Sequence, residues 1–146
     1  MHSLAPGPFA TPSLPLAALL APLGVWVLMA VLAVLNGGFR EVVLIPRIGA
    51  YPGHLVSTGL LVAGILAVAG LFFTRTGVEY PPTQLAVIGA VWVILTVGFE
   101  FLVGAVEGTP VSITLGQYNV LAGQVWIAVP ITLFVAPLLF GWLLSS

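Results

Sequence analysis

Four long apolar runs divide this chain and constrain its fold more than any other feature. They cover residues of about 14–46, 54–74, 84–107 and 118–144. A helix needs roughly 20 mostly apolar residues to cross the hydrocarbon core of a bilayer, and each run reaches that length. Because lipid offers the backbone no hydrogen-bond partners, the runs have to be helical. The pattern predicts an all-α fold, an integral membrane four-helix transmembrane bundle.

The composition excludes a water-soluble globule. Only 5% of the residues are charged and 60% are hydrophobic, whereas a soluble domain usually has about 25% charged residues. We predict a single transmembrane domain over residues 1–146, with residues 1–13 as a flexible N-terminal tail. The first apolar run has no preceding positive charge and no clear cleavage site, which favours a retained helix over a signal peptide.

Several kinds of chemistry are unsupported by the residue types present. The chain has no Cys, which excludes disulfides, thiolate catalysis and iron–sulfur clusters. His2 and His54 are the only histidines, too few for an ordinary zinc site. The formal net charge is −1 and there is no basic cluster, so we expect no nucleic-acid partner. We predict no metal ion and no other cofactor.

Turn-forming residues separate the runs at about 46–53, 74–83 and 108–110. The stretch 111–121 is ambiguous, because its first residues alternate in polarity like a strand and an isolated strand has no partners in lipid. Two alternatives remain for this stretch: an interfacial segment, or a polar first turn of the fourth helix. 

Small residues in the second run have the spacing of a helix-packing motif. Gly59, Ala63 and Ala67 follow one another at intervals of four residues, which places them on one face of a helix. Small residues at this spacing let two membrane helices approach closely. We therefore expect this face to pack against another helix.

Polar residues concentrate at one end of the predicted bundle. With four spans, the first and third connections lie on the same side of the membrane, and the halves of the helices next to them hold the unusual polar side chains. Ionisable residues inside a membrane are costly and often functional. The candidate site residues at this polar end are Asn36, Arg40, Glu41, His54, Thr58, Thr96, Glu100, Tyr118, Asn119 and Gln124.

Arg40 and Glu100 are predicted to lie at similar depth with opposite charge. Measured from Pro46 and Glu107, they lie roughly 9 and 10 Å inside at 1.5 Å per residue. We predict a direct ion pair between them, with a ligand-binding role and a purely structural one as alternatives. Glu41 is about 100° around the helix from Arg40 and is expected to point elsewhere.

Three short motifs resemble a family of small bacterial four-helix integral membrane proteins. The resemblance covers the first, third and fourth helices. It implies a bacterial membrane location and the same fold, but no particular activity. In that family an Asp and an Arg stand where this chain has Gln117 and Gln124, which argues against a charge-based mechanism at that edge. The motifs are Asn36-Gly37-x-x-Arg40-Glu41, Phe99-Glu100-Phe101, and Tyr118-Asn119 followed by Gly123 and Trp126.

The leading functional hypothesis is a multi-pass protein of the bacterial inner membrane, a homo-oligomer, whose polar pocket binds or transports a small solute or ion. The alternative is a non-catalytic accessory subunit of a larger membrane complex. The third is an intramembrane enzyme acting on a lipid-like substrate, with Glu100 and His54 as acid–base candidates, although no catalytic motif is present and we favour a protein that is not an enzyme. Arg40 and Arg47 lie near the first connection and Arg75 near the second, which favours a cytoplasmic polar end.

Overall fold

The structure is a computed structural model that describes residues 14–116 and 125–145, and within these ranges it contains helices and no strand. The helices are α1 (Leu16–Phe39), α2 (Ile45–Ile48), α3 (Ala50–Arg75), α4 (Pro82–Glu107), α5 (Val111–Gly116) and α6 (Ala128–Ser145). A π-helical segment, Arg40–Leu44, joins α1 to α2. The predicted all-α bundle is therefore confirmed.

Three helical stretches are long and apolar enough to cross a membrane: Leu16–Ile48, α3 and α4. The fourth, α6, is equally apolar but has 18 residues, a length of about 27 Å at 1.5 Å per residue. It packs along both α3 and α4, whereas α1 packs mainly on α3 and has few contacts with α4. The helices thus form one bundle in which α1 and α4 diverge.

The end of the bundle opposite the polar residues is filled by aromatic side chains, and we call it the closed end. Phe73, Tyr80 and Trp92 are buried there. The ring centroids of Phe73 and Tyr80 are 6.0 Å apart, and those of Phe73 and Trp92 are 6.3 Å apart. Edge-to-face and tilted arrangements at these separations are the favoured geometries of aromatic pairs. This cluster packs α3, the connection that follows it and α4 together at the closed end.

A proline in α1 explains how the closed end is fixed. Pro22 has no N–H, so the carbonyl of Ala18 lacks its usual helical donor. The Tyr80 hydroxyl donates to that carbonyl oxygen at 2.6 Å. Burial raises the pKa of Tyr80 above its ordinary value. The indole N–H of Trp92 donates to the carbonyl oxygen of Pro22 itself at 2.9 Å. These two bonds attach α1 to the rest of the bundle.

Two predicted helix boundaries were wrong. The second helix begins at Ala50 rather than His54, so Pro52 lies in the first turn of α3. A proline is tolerated there because the first N–H groups of a helix have no intrahelical partner. Gly49, with a φ of 94°, makes the preceding turn. The fourth helix was predicted to begin near residue 118, but residues 125–127 form a turn and α6 begins at Ala128.

The ambiguous stretch 111–121 begins as a short helix, α5 (Val111–Gly116). Because the turn at 125–127 separates α5 from α6, α5 is not the first turn of α6. That alternative is therefore wrong, and the interfacial location stays a prediction. Residues 117–121 lie outside the part of the chain that the structure describes.

The predicted packing face of the second run does not pack against the part of the chain that the structure describes. Gly59, Ala63 and Ala67 are exposed on the outside of α3, and a Cβ added to Gly59 would meet no atom within 4 Å. Close approach occurs instead between α4 and α6. A Cβ added to Gly89 would lie 2.6 Å from the carbonyl oxygen of Phe134. Spacing alone did not distinguish the outer face of α3 from the inner face of α4.

Candidate functional site

A partly open cavity of about 550 Å³ lies at the polar end, where α1 and α4 diverge. Its walls come from α1, the π-helical segment, α3, α4 and the start of α6. Most of the described candidate residues line this one cavity, so antiparallel helices bring them together as their positions along the chain predict. They are Arg40, Glu41, His54, Thr58, Thr96 and Glu100.

The cavity changes in polarity from its outer to its inner part. Arg40, His54 and Glu107 lie near the helix ends and form the outer part. The inner part, towards the middle of the bundle, is formed by apolar core side chains: Met29, Leu61, Ile65, Val129 and Leu133. Pockets for small molecules commonly combine a largely apolar lining with a few placed polar groups. This lining suits a ligand with a polar and an apolar part.

The predicted ion pair between Arg40 and Glu100 is wrong. Arg40 pairs instead with Glu41, with Nε and Oε1 3.3 Å apart. The π-helical segment begins at Arg40, and its wider turns reduce the angle between successive side chains. The side chains of Arg40 and Glu41 therefore reach each other. In a regular α-helix, successive side chains are about 100° apart and the two were expected to point in different directions. The Glu41 side chain is 61% exposed, so this pair contributes little to stability, at most about 1 kcal/mol.

Glu100 contacts a residue that no sequence pattern assigned to it. The indole N–H of Trp126 donates to Oε1 of Glu100 at 2.5 Å. Trp126 lies in the turn that precedes α6, so this bond links α4 to that turn. A tryptophan near the end of an apolar run usually indicates an interfacial position. The sequence therefore did not predict the bond between Trp126 and Glu100.

A second tryptophan, Trp26, also forms part of the cavity wall. The indole N–H of Trp26 in α1 donates to the hydroxyl oxygen of Thr96 in α4 at 2.9 Å. The rings of Trp26 and Phe99 meet edge to face, with centroids 6.1 Å apart and an interplanar angle of 83°. The sequence predicted Thr96 as a site residue, but neither Trp26 nor Phe99. All three residues line the cavity.

Asn36 has a different place from the one predicted. Its amide nitrogen donates to the backbone carbonyl of Ser57 at 3.0 Å, and the Ser57 hydroxyl donates back to Asn36 Oδ1 at 2.5 Å. Ser57 is fully buried, and Asn36 is not among the residues of the cavity wall. The pair joins α1 to α3 with two reciprocal hydrogen bonds. Asn36 therefore supports the site from behind rather than facing a ligand.

The remaining candidates, Tyr118, Asn119 and Gln124, lie outside the described residues. Comparison of the chain with protein-family models, curated proteins and solved structures gave no match. The resemblance to small bacterial four-helix membrane proteins thus stays a prediction, and the function has to be argued from the cavity.

We expect Glu100→Ala to destabilise the protein more than Glu107→Ala does. The first substitution leaves the indole N–H of Trp126 without its acceptor, and an unsatisfied part-buried donor costs about 1–3 kcal/mol. Glu107 is exposed at the end of α4, where a substitution usually changes stability by less than about 0.5 kcal/mol. Unfolding of both purified variants in mixed detergent micelles measures the difference. Equal losses would contradict a structural role for the bond to Trp126.

Proposed function

We propose that this chain is a multi-pass protein of the bacterial inner membrane that binds or transports a small solute or ion in the cavity. The observation that carries the proposal is the cavity itself, at about 550 Å³, with charged groups outside and apolar groups inside. Polar residues that served only to hold two helices together would need no such space between them. In this chain α1 has few contacts with α4, and residues of both helices line the cavity where the ionisable residues are placed.

Transport through this cavity requires more than one rigid chain. Trp92 has no exposed surface and Phe73 packs against it, and neither residue belongs to the described lining of the cavity. A solute that crosses the membrane therefore needs a second copy of the chain or a movement of α1. We propose a homo-oligomer whose polar end faces the cytoplasm, in keeping with the distribution of arginines.

Filling the cavity tests the proposal. Ala33 of α1 lines the cavity, whereas Ala17 of the same helix is exposed and is not part of the cavity lining. Ala33→Phe is expected to reduce the amount of bound small molecule by at least about tenfold, equivalent to about 1.4 kcal/mol. Ala17→Phe makes the same change in the same helix and is expected to leave binding intact.

The measurement is mass spectrometry of small molecules that copurify with each variant from membranes in mild detergent. The parent protein and Ala17→Phe are expected to retain a compound that Ala33→Phe has lost. If all three carry the same compounds in the same amounts, the cavity is not the binding site and the proposal fails.

A further inference from the structure

We propose that the solute is an organic cation, an alkylated ammonium group attached to an apolar body. This inference rests on the proposed function, because it takes the cavity to be a binding site, and it adds the chemical class of the ligand. Three properties of the cavity point to this class: the balance of charges in its wall, the hydrogen bonds that already occupy its two indole N–H groups, and its apolar inner part.

The balance of charges in the cavity wall is negative. The described lining contains one arginine, Arg40, and three carboxylates, those of Glu41, Glu100 and Glu107. The sequence has only three Lys and Arg residues in total, and the other two, Arg47 and Arg75, are exposed outside this lining. Residues 117–124 contain no charged residue and so do not alter the formal balance. A cationic ligand would offset the excess negative charge.

The two indole N–H donors in the described lining are already engaged. The indole N–H of Trp26 is bonded to Thr96, and that of Trp126 is bonded to Glu100. Nε of Arg40 lies against Glu41. What the two indoles still offer to a ligand is the surface of their rings, and aromatic rings attract ammonium groups within about 6 Å of their centroids. These two side chains therefore favour an ammonium group over an anion.

The apolar inner part favours an organic cation over a metal ion. Met29, Leu61 and Leu133 offer carbon surface where the rest of a ligand would lie. Divalent metal ions are held by several oxygen or nitrogen ligands at short distance. Among the described residues no group of three His, Asp or Glu side chains is placed to provide them.

Three probes of nearly equal shape test the proposal: phenyltrimethylammonium, tert-butylbenzene, in which carbon replaces the nitrogen, and the anion benzenesulfonate. Calorimetric titration of the purified protein in non-ionic detergent measures their affinities. We expect the cation to bind at least about tenfold more tightly than the neutral compound, and benzenesulfonate to bind most weakly. Equal affinities for the cation and the neutral compound, or tighter binding of the anion, would overturn the assignment.

Glu100→Gln is expected to lower the affinity for the cation by at least about tenfold and to leave that for tert-butylbenzene unchanged. Glu79→Gln is the matched control, because Glu79 is exposed at the closed end, in the connection between α3 and α4. If Glu100→Gln does not fold, Trp26→Leu replaces it. That variant removes aromatic surface without changing charge and is expected to weaken the cation more than the neutral compound. A cation affinity that neither substitution lowers contradicts the proposal.

The failure of this inference differs from the failure of the proposed function. If none of the probes binds while Ala33→Phe still removes a copurifying compound, the cavity is a binding site for another class of ligand. If the probes do not bind and Ala33→Phe has no effect, both proposals fail.

Repeating the titration in nanodiscs separates two sources of the cation. Competition by phosphatidylcholine, absent with phosphatidylglycerol, indicates a lipid headgroup, and no competition by either indicates a free solute; both results retain the cationic class.

Discussion

Trp92→Ala is expected to lower the free energy of unfolding by about 3–5 kcal/mol, the range observed when a large buried aromatic side chain is truncated. Trp92 has no exposed surface and packs against Phe73 at the closed end. Its indole also supplies a hydrogen bond to the carbonyl oxygen of Pro22 in α1. The substitution removes both the packing and the attachment, so α1 is expected to loosen from the bundle.

Unfolding in mixed micelles of a mild detergent and sodium dodecyl sulfate measures this loss, and Trp142→Ala serves as the control. Trp142 is 67% exposed near the end of α6, so the same truncation there removes less packing. We expect its effect to be clearly smaller than that of Trp92→Ala. Losses of similar size at the two positions would contradict the placement of Trp92 in the core.

Gly89→Ala is expected to destabilise the protein by about 1–3 kcal/mol, the usual cost of adding an atom to a well-packed core. The new Cβ would lie 2.6 Å from the carbonyl oxygen of Phe134 and 3.1 Å from its Cα. Because these are backbone atoms, no side-chain rotation relieves the clash, and α6 has to move away from α4.

Gly98→Ala in the same helix is expected to have the opposite sign. A Cβ at Gly98 would meet no atom within 4 Å, and alanine is favoured over glycine in a helix interior by roughly 0.5–1 kcal/mol. Thermal unfolding of both variants in the same detergent compares them. A stabilised or unchanged Gly89→Ala would mean that α4 and α6 are not in close contact at this point.

Trp92 and Gly89 lie in the half of the molecule that holds the bundle together, while the cavity occupies the other half. The division follows from the contacts of α1. Its N-terminal half is bonded to Tyr80 and Trp92, and its C-terminal half diverges from α4 and is joined to α3 through Asn36 and Ser57. Stability and ligand binding are therefore expected to respond to different substitutions, Trp92→Ala for the first and Ala33→Phe for the second.

The location of the site could be predicted from the sequence because it depends only on order along the chain. Once the apolar runs are helices that cross a bilayer in alternating directions, residues such as Arg40, His54 and Glu100 have to lie at the same end. No detail of packing enters that argument. The cavity at this end is lined by all three residues.

The partners of the charged groups could not be predicted in this way, because they depend on rotation and local distortion of the helices. A π-helical segment brought Glu41 to Arg40, and the turn before α6 brought Trp126 to Glu100. Arg40 and Glu100 were predicted to pair because they lie at similar depth. Depth fixes the height of a residue in the membrane but not the direction of its side chain, so the pair did not follow from it.

The sequence by itself determined the fold class, the membrane-spanning character of the long helices and the end at which the polar residues gather. These properties follow from the cost of exposing polar backbone to lipid and from the length of the apolar runs. Only the tertiary structure decided that Gly89 rather than Gly59 lies at a close contact, and that α1 and α4 separate to leave a cavity. Both depend on which face each helix turns towards its neighbours, and helices that are apolar on every side carry no pattern that specifies the inward face.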